Sequence, residues 1–94
     1  MTMSTTYLLR KPVKVASLRR LGWRVVLNSE GDKMLTDGRV YAEPFLSDET
    51  LFGFERWGQN DVRALARATD AVDEHDEDDP DYARLFAIEE EEED

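Results

Sequence analysis

The sequence contains no cysteine and only one histidine, His75, among its 94 residues. Without cysteine the chain can form neither a disulfide framework nor a thiolate metal site, which is typical of proteins from a reducing compartment. Its longest apolar run is four residues, far below the roughly 20 that span a bilayer. We therefore expect a cytoplasmic protein that does not enter membranes.

Few side chains are suited to catalysis. The four serines lie in an N-terminal tail, a basic helix, a turn and a helix start, and no general base is assigned to any of them. The acidic segment 70–81 lacks the glycine, the spacing and the closing glutamate of a calcium loop. We expect no catalytic residue, no metal site, no cofactor and no enzyme activity.

Charge is strongly segregated along the chain, whose net charge is −10. Residues 68–94 hold fourteen acids against one base, Arg84, whereas the first 29 residues hold six bases and no acid. Such asymmetry bears on partners and association rates rather than on the fold. The negative total disfavours free nucleic acid and anionic membranes as partners, because both repel the dominant surface at long range.

The first half of the chain predicts a small antiparallel sheet. Aromatic and β-branched residues alternate with turn formers, and Asp37-Gly38 is the strongest two-residue hairpin signal. Pro12 fits the first turn of a helix and Gly22 its end, whereas Pro44 ends the last strand. The predicted elements are a strand at 7–10, a basic helix at 13–21 and a meander of strands at 23–28, 33–36 and 39–43.

Residues 47–58 carry conflicting signals. Ser47 followed by two acids is typical of a helix start, and Gly58 is typical of a helix end. The aromatic-rich run 51–57, with its internal glycine, instead favours a strand. Because the helix signals have the more specific geometry, we expect a helix here, with a fourth strand as the alternative.

The last third predicts helices. Asn60 is a good N-cap, and apolar residues then recur with helical spacing as far as Val72. These features predict a helix from Asp61 to Glu74 or a turn beyond it. Asp79-Pro80 predicts the start of a second short helix.

The expected fold is therefore α+β, with a three- or four-stranded antiparallel sheet packed by short helices and ending in an acidic helical segment. We expect a single domain over residues 1–88. The six acids at 89–94 lie at the negative end of a helix dipole, so we expect an acidic disordered tail there.

The acidic segment has two interpretations. It is either a solvated face that keeps the protein soluble or a surface for a strongly basic partner. Acids three and four residues apart on a helix lie roughly 5–6 Å from each other, which is the same order as the phosphate spacing of a nucleic-acid strand. The second interpretation makes the chain a nucleic-acid mimic. The predicted contact residues are Asp70, Asp73, Glu74, Asp76, Glu77, Asp78, Asp79 and Asp81.

In its length, its lack of cysteine and its acids gathered at 70–81 and 89–94, the chain resembles small acidic phage-type inhibitors, such as DNA-mimic and anti-CRISPR proteins. The resemblance covers size and charge, and no functional residue is carried over from it. It implies an inhibitor in a host cytoplasm that occludes the nucleic-acid-binding site of an effector complex. The basic stretch 10–24 departs from a uniformly acidic mimic and leaves room for a second contact. The residues predicted for that contact are Arg19, Arg20, Arg24 and Trp57.

Two rival functions remain open. In the first, the basic N-terminal segment binds nucleic acid and the acidic tail folds over it as an autoinhibitor. The net charge disfavours this function, because each phosphate would have to compete with a tail at a far higher effective concentration. In the second, the chain is a self-assembling structural protein, for instance a homodimer in which the basic helix of one subunit meets the acidic helix of the other.

Overall fold

Six antiparallel strands form one sheet within residues 5–86, the part of the chain that this computed structural model describes. The strands follow the spatial order β2-β3-β4-β5-β1-β6, so β2 and β6 are the two edges. The strands are β1 (Thr6–Lys14), β2 (Arg24–Leu27), β3 (Lys33–Thr36), β4 (Tyr41–Ser47), β5 (Thr50–Arg56) and β6 (Ala71–Asp73). The helices are α1 (Val15–Leu18), which continues as a 3₁₀ turn (Arg19–Leu21), α2 (Arg63–Thr69) and α3 (Tyr82–Phe86).

The fold is α+β, but the prediction of three or four strands followed by an acidic helical segment is wrong. The sheet has six strands, because residues 47–58 add β5 and residues 71–73 add β6. Most of the segment 70–81 forms β6 and turns rather than a helix. The predicted acidic tail at 89–94 lies outside the described residues.

The N-terminal strand is longer than predicted because it passes through Pro12. On β5, Leu8 pairs with Gly53 and Val13 pairs with Leu51, so the four residues between Leu8 and Val13 form a wide bulge in β1. A proline lacks a backbone N–H, and an interrupted ladder is where a strand tolerates one. The helix therefore begins at Val15 rather than near residue 13.

The expected helix at 47–58 is wrong, and the alternative of a strand is confirmed. Ser47 pairs with Thr50 across a two-residue loop, and both loop residues, Asp48 and Glu49, have positive φ angles of 57° and 63°. Two left-handed residues in succession make a type I′ turn, whose twist suits an antiparallel hairpin. The serine and its two acids therefore mark a hairpin turn instead of a helix start.

The hairpin predicted at Asp37-Gly38 is present, but its loop has four residues. Thr36 pairs with Tyr41, so the loop spans residues 37–40. The Asp37 side chain accepts hydrogen bonds from the backbone N–H groups of residues 39 and 40, at 2.8 and 3.1 Å. β4 starts two residues later than predicted and continues through Pro44, which lies beyond the residues that pair with β3.

One face of the sheet, here called the core face, is covered by α1 and α2. Tyr7 and Phe54 stack on it with ring centroids 5.0 Å apart, and Phe54 is completely buried. The helices contribute Leu18 and Leu65 to the same cluster. The opposite face, here called the open face, carries Leu8 and Phe45, which both lie against Gly53. Between residues 5 and 86, no helix is long and apolar enough to cross a membrane.

Candidate functional site

Arg10 holds three aspartates of the acidic segment together. Its Nε donates to Asp81 Oδ2 at 2.7 Å, one terminal nitrogen donates to Asp70 Oδ1 at 2.8 Å, and the other donates to Asp79 Oδ2. The nitrogen that reaches Asp70 also donates to its backbone carbonyl at 3.1 Å. All three nitrogens of the guanidinium are therefore engaged. We call residues 70–81, gathered in this way, the acidic lobe.

Burial makes this cluster more than a loose surface ion pair. The side chains of Arg10 and Asp79 are only 25% and 13% exposed, whereas that of Asp70 is 80% exposed. The hydrogen bond from Arg10 lowers the pKa of Asp81, and the same bond, with help from Asp79, raises the pKa of Arg10. Both shifts favour the charged forms of Arg10 and Asp81.

The bulge of β1 and the end of α2 position this cluster. Arg10 lies in the bulge, one residue after Leu9 pairs with Ala71 on β6. The predicted helix to Glu74 is wrong, because α2 ends at Thr69 and its C-cap, Asp70, adopts a left-handed conformation with φ of 55°. Helix termini often use such a residue. The bonds from Arg10 to both the carbonyl and the carboxylate of Asp70 favour this ending.

Two further predicted acids have structural contacts. Glu74 pairs with Thr6 twice, since its carboxylate accepts from the Thr6 N–H and its own N–H donates to the Thr6 carbonyl at 2.9 Å. Asp73 accepts the N–H of His75 through its carboxylate and the N–H of Asp76 through its carbonyl. These bonds fix the path of the chain from β6 into the turns that follow.

The remaining three predicted acids, Asp76, Glu77 and Asp78, are exposed on the turn between β6 and α3. Among the described residues, no hydrogen bond or ion pair engages any of their carboxylates. The structure thus separates the eight predicted contact residues into five that hold the lobe together and three that face solvent. The helical stripe predicted for them is absent, because successive turns replace the helix.

The residues predicted for a second contact lie at the opposite edge of the sheet. Arg19 and Arg20 belong to the 3₁₀ turn that leads into β2, and Arg24 is the first residue of β2. All three are exposed, and within residues 5–86 none of them forms an ion pair. Trp57 is 46% exposed and lines a hollow beside β2. The separation of charge along the sequence therefore becomes a separation of charge across the sheet.

The described residues offer little for catalysis or metal binding. His75 is exposed on a turn. Burial raises the pKa of the Tyr7 hydroxyl, and the nearby carboxylates of Asp73 and Asp61 add to the shift, so this hydroxyl is a poor nucleophile at neutral pH. From residue 5 to residue 86, no three acids or histidines are arranged to hold a metal ion.

Sequence reasoning missed two features of these surfaces. The partnership of Arg10 with the acidic lobe joins residues at least 60 positions apart, and only the pairing of β1 with β6 brings them together. The hollow beside Trp57 also depends on Tyr41 and Leu27, which are 41% and 67% exposed. The one signal that could have indicated this hollow is the run of apolar residues in β2, which is an edge strand.

No protein-family model, no curated protein and no solved structure matches this chain.

Proposed function

We propose that the protein is a non-catalytic inhibitor that binds a nucleic-acid-binding protein through its acidic lobe. The observation that carries this proposal is the arrangement of Asp76, Glu77 and Asp78 as consecutive exposed acids on a turn whose two ends are fixed. Lysine and arginine side chains that bind phosphates in the partner would bind these carboxylates instead. The lobe would thus occupy a nucleic-acid-binding site.

The fixed shape of the lobe supports this proposal. A flexible acidic peptide loses conformational entropy when it binds, whereas a turn that is already ordered loses less. Arg10 anchors the lobe at Asp70, Asp79 and Asp81, and Glu74 anchors it to Thr6. The three free acids therefore project from a rigid support rather than from a random chain.

Nucleic-acid binding by the basic segment, with the acids as an autoinhibitor, is the second candidate. The bonds between Arg10 and the acidic lobe favour it, because they show acids covering one base of that segment. Only Arg10 is covered in this way among the described residues. Lys11, Lys14 and the three arginines of the second contact remain exposed, so the lobe would inhibit only part of such a site.

The test uses a triple variant, Asp76→Asn, Glu77→Gln and Asp78→Asn, which removes the free charges and leaves the contacts of Arg10 intact. The immobilised chain is incubated with nuclease-treated lysate of the cells that make it, and bound proteins are eluted with salt. We expect the original chain to retain a basic nucleic-acid-binding protein that added duplex DNA displaces. The triple variant should retain at least about tenfold less, because the attraction is electrostatic.

A matched control removes three exposed acids from other turns, as Glu30→Gln, Asp32→Asn and Asp48→Asn. This variant has the same net charge as the first and should retain the partner as well as the original chain does. Equal loss in both variants would show that only total charge matters, and retention by both would contradict the proposal. Binding of duplex DNA by the triple variant alone would favour the autoinhibited module.

A further inference from the structure

The outer edge of β2 carries backbone groups that no strand pairs in the described chain. The Asn28 N–H donates to the Asp32 carbonyl across the turn between β2 and β3, at 2.8 Å. Hydrogen-bonded and non-hydrogen-bonded pairs alternate along an antiparallel ladder. The backbone N–H and C=O groups of Val26 and Arg24 therefore also point toward β3. Val25 and Leu27 therefore point their N–H and C=O groups away from the sheet, where another strand could bind them.

A basic hollow borders this edge on the side of the core face. Its volume is about 320 Å³, and it is lined by Arg19, Gly22, Trp23, Arg24 and Val25. Arg19 also lines a neighbouring hollow, whose other charged residues are Lys33, Asp48 and Glu49. The side chains of a strand that lay beside β2 would meet the two arginines of the first hollow on this side, so acidic side chains fit here.

An apolar hollow borders the same edge on the side of the open face. Its volume is about 280 Å³, and its lining combines the half-exposed rings of Tyr41 and Trp57 with the buried side chain of Met34. Leu27, 67% exposed, lies at its rim. Aliphatic or aromatic side chains of an added strand fit this side, because they would cover apolar surface that now faces water.

We propose that the β2 edge binds an extended segment of a protein partner in which acidic and apolar residues alternate. The segment would add a seventh strand to the sheet. Its backbone would pair with Val25 and Leu27, its acids would face Arg19, and its apolar residues would enter the hollow beside Trp57. Main-chain bonds supply affinity in such complexes, and the pockets for alternate side chains supply specificity.

The acidic lobe leaves this attraction intact. The β2 and β6 edges are five strand spacings apart, roughly 24 Å. This separation is about three Debye lengths at physiological salt, so the acidic lobe repels an acidic peptide at β2 only weakly. The outward carbonyls of Val25 and Leu27 need hydrogen-bond donors in register, which a peptide backbone has and a phosphate backbone lacks. A peptide therefore fits this edge better than a nucleic-acid strand does.

The probe is a short synthetic peptide in which glutamate alternates with valine or phenylalanine. We expect its addition to the full chain to slow amide hydrogen exchange at Val25 and Leu27 by at least about tenfold, as new hydrogen bonds would. Trp57 fluorescence should change over the same titration. The same peptide N-methylated on the residues that pair with β2 should bind at least about tenfold more weakly. Methylation on the intervening residues should leave its affinity unchanged.

Two pairs of variants test the protein side. Leu27→Pro removes one outward N–H and should weaken binding by about tenfold, whereas Leu27→Thr keeps that N–H and should weaken it far less. Arg19→Gln should weaken binding by several-fold through lost charge. Arg67→Gln, which removes an equal charge from α2 on the other half of the sheet, should not.

Several results would overturn the proposal. The first is equal affinity of the chain for the two N-methylated peptides. The second is that an oligothymidine probe binds at the same amides more tightly than the peptide does. The third is that a rising protein concentration, without peptide, protects Val25 and Leu27 from hydrogen exchange. The last two would identify nucleic acid or a second copy as the occupant. The peptides decide the question even if Leu27→Pro does not fold. The triple variant of the acidic lobe should bind the peptide normally, so this test and that of the proposed function can fail independently.

Discussion

The two edges of the sheet differ in how they end. At β6 the Asp73 carbonyl accepts the Asp76 N–H, and the chain then turns away through a series of acids that Arg10 holds. At β2 the outward groups of Val25 and Leu27 have no strand beside them in the described chain. Proteins commonly protect sheet edges with short strands, charges and turns. Such protection is built at the β6 edge by turns and held acids, whereas β2 lacks it, and this difference supports the proposal that β2 binds another strand.

The two edges also differ in charge, and their charges suit different partners. The acidic lobe presents mainly side-chain carboxylates, and its edge strand β6 is only three residues long, so it suits a partner that recognises charge. The β2 edge combines backbone groups, cations and apolar rings, so it suits a partner that recognises an extended chain. The partners proposed for the two edges therefore differ in chemistry, and the two proposals can be tested separately.

The largest effect on the free energy of unfolding is expected at Gly53 of β5, the strand that lies between β4 and β1. A methyl group there would lie 2.5 Å from the Tyr7 carbonyl oxygen and 2.8 Å from a Leu8 side-chain carbon. Because a backbone atom cannot move aside cheaply, we expect Gly53→Ala to lower the free energy of unfolding by about 3 kcal/mol. Urea denaturation measures this change. Hydrogen exchange should then rise at both edges together.

Gly58→Ala is the matched control for this variant. Gly58 has a positive φ of 56°, but an added methyl group meets nothing within 4 Å. The cost should therefore be limited to the left-handed conformation, about 1 kcal/mol. If the two variants lost equal stability, the close approach of β1 to β5 would not be what makes Gly53 necessary.

The sequence predicted the individual strands and turns better than it predicted the contacts between distant strands. Its meander is confirmed as β2, β3 and β4, because alternation and turn residues act over short distances. It could not show that the glycine at 53 serves a close contact between strands, since that contact depends on β1. The same holds for Val72, whose helical spacing suggested α2, although it is buried in β6 opposite Leu8. Tertiary pairing outweighs helical spacing there.

The sequence showed where the charged regions lie along the chain but not which of their residues contact each other. The sequence located both charged regions, and the structure puts them at opposite edges. It could not show that Arg10 would leave the basic group and join the acids, because its partners lie at least 60 positions away. A tight ion cluster needs a fold to bring its members together, and composition alone does not specify one.

A smaller effect on stability is expected at the turn of the β4–β5 hairpin, whose two residues line the hollow that contains Lys33. Asp48 and Glu49 both adopt the left-handed conformation, which costs roughly 1–2 kcal/mol for an ordinary residue and little for glycine. Replacing them with Asn-Gly should raise the free energy of unfolding by about 1 kcal/mol. Urea denaturation measures the gain. Asp48→Asn with Glu49→Gln removes the same charges but keeps the strain at residue 49, so it should give a much smaller gain.

The smallest effect is expected from the pH dependence of the hydrogen bond between Arg10 and Asp81, which acts at the β6 edge. The pKa of Asp81 is lowered in the folded protein by its hydrogen bond with Arg10. A lowered pKa means that the bond's contribution is complete above the unfolded value of about 4 and is lost as pH falls through the folded value. We expect the lobe to loosen only below about pH 4. The NMR signal of the Arg10 Nε–H, which donates to Asp81, reports this change directly.

Arg10→Gln separates this local effect from the general loss of stability in acid. Asp37 and Asp61 also have lowered pKa values, from backbone N–H donors at residues 39 and 40 and from Arg63 respectively, so the whole protein loses stability over a similar range. The variant should expose the amides of β6 to exchange already at neutral pH and reduce their further response to acid to that of the rest of the sheet, while Val25 and Leu27 stay as in the original chain. If β6 kept its protection in Arg10→Gln, the closed edge would depend on its turns alone. The contrast between the two edges would then rest on backbone geometry, and the arginine would serve only to neutralise charge.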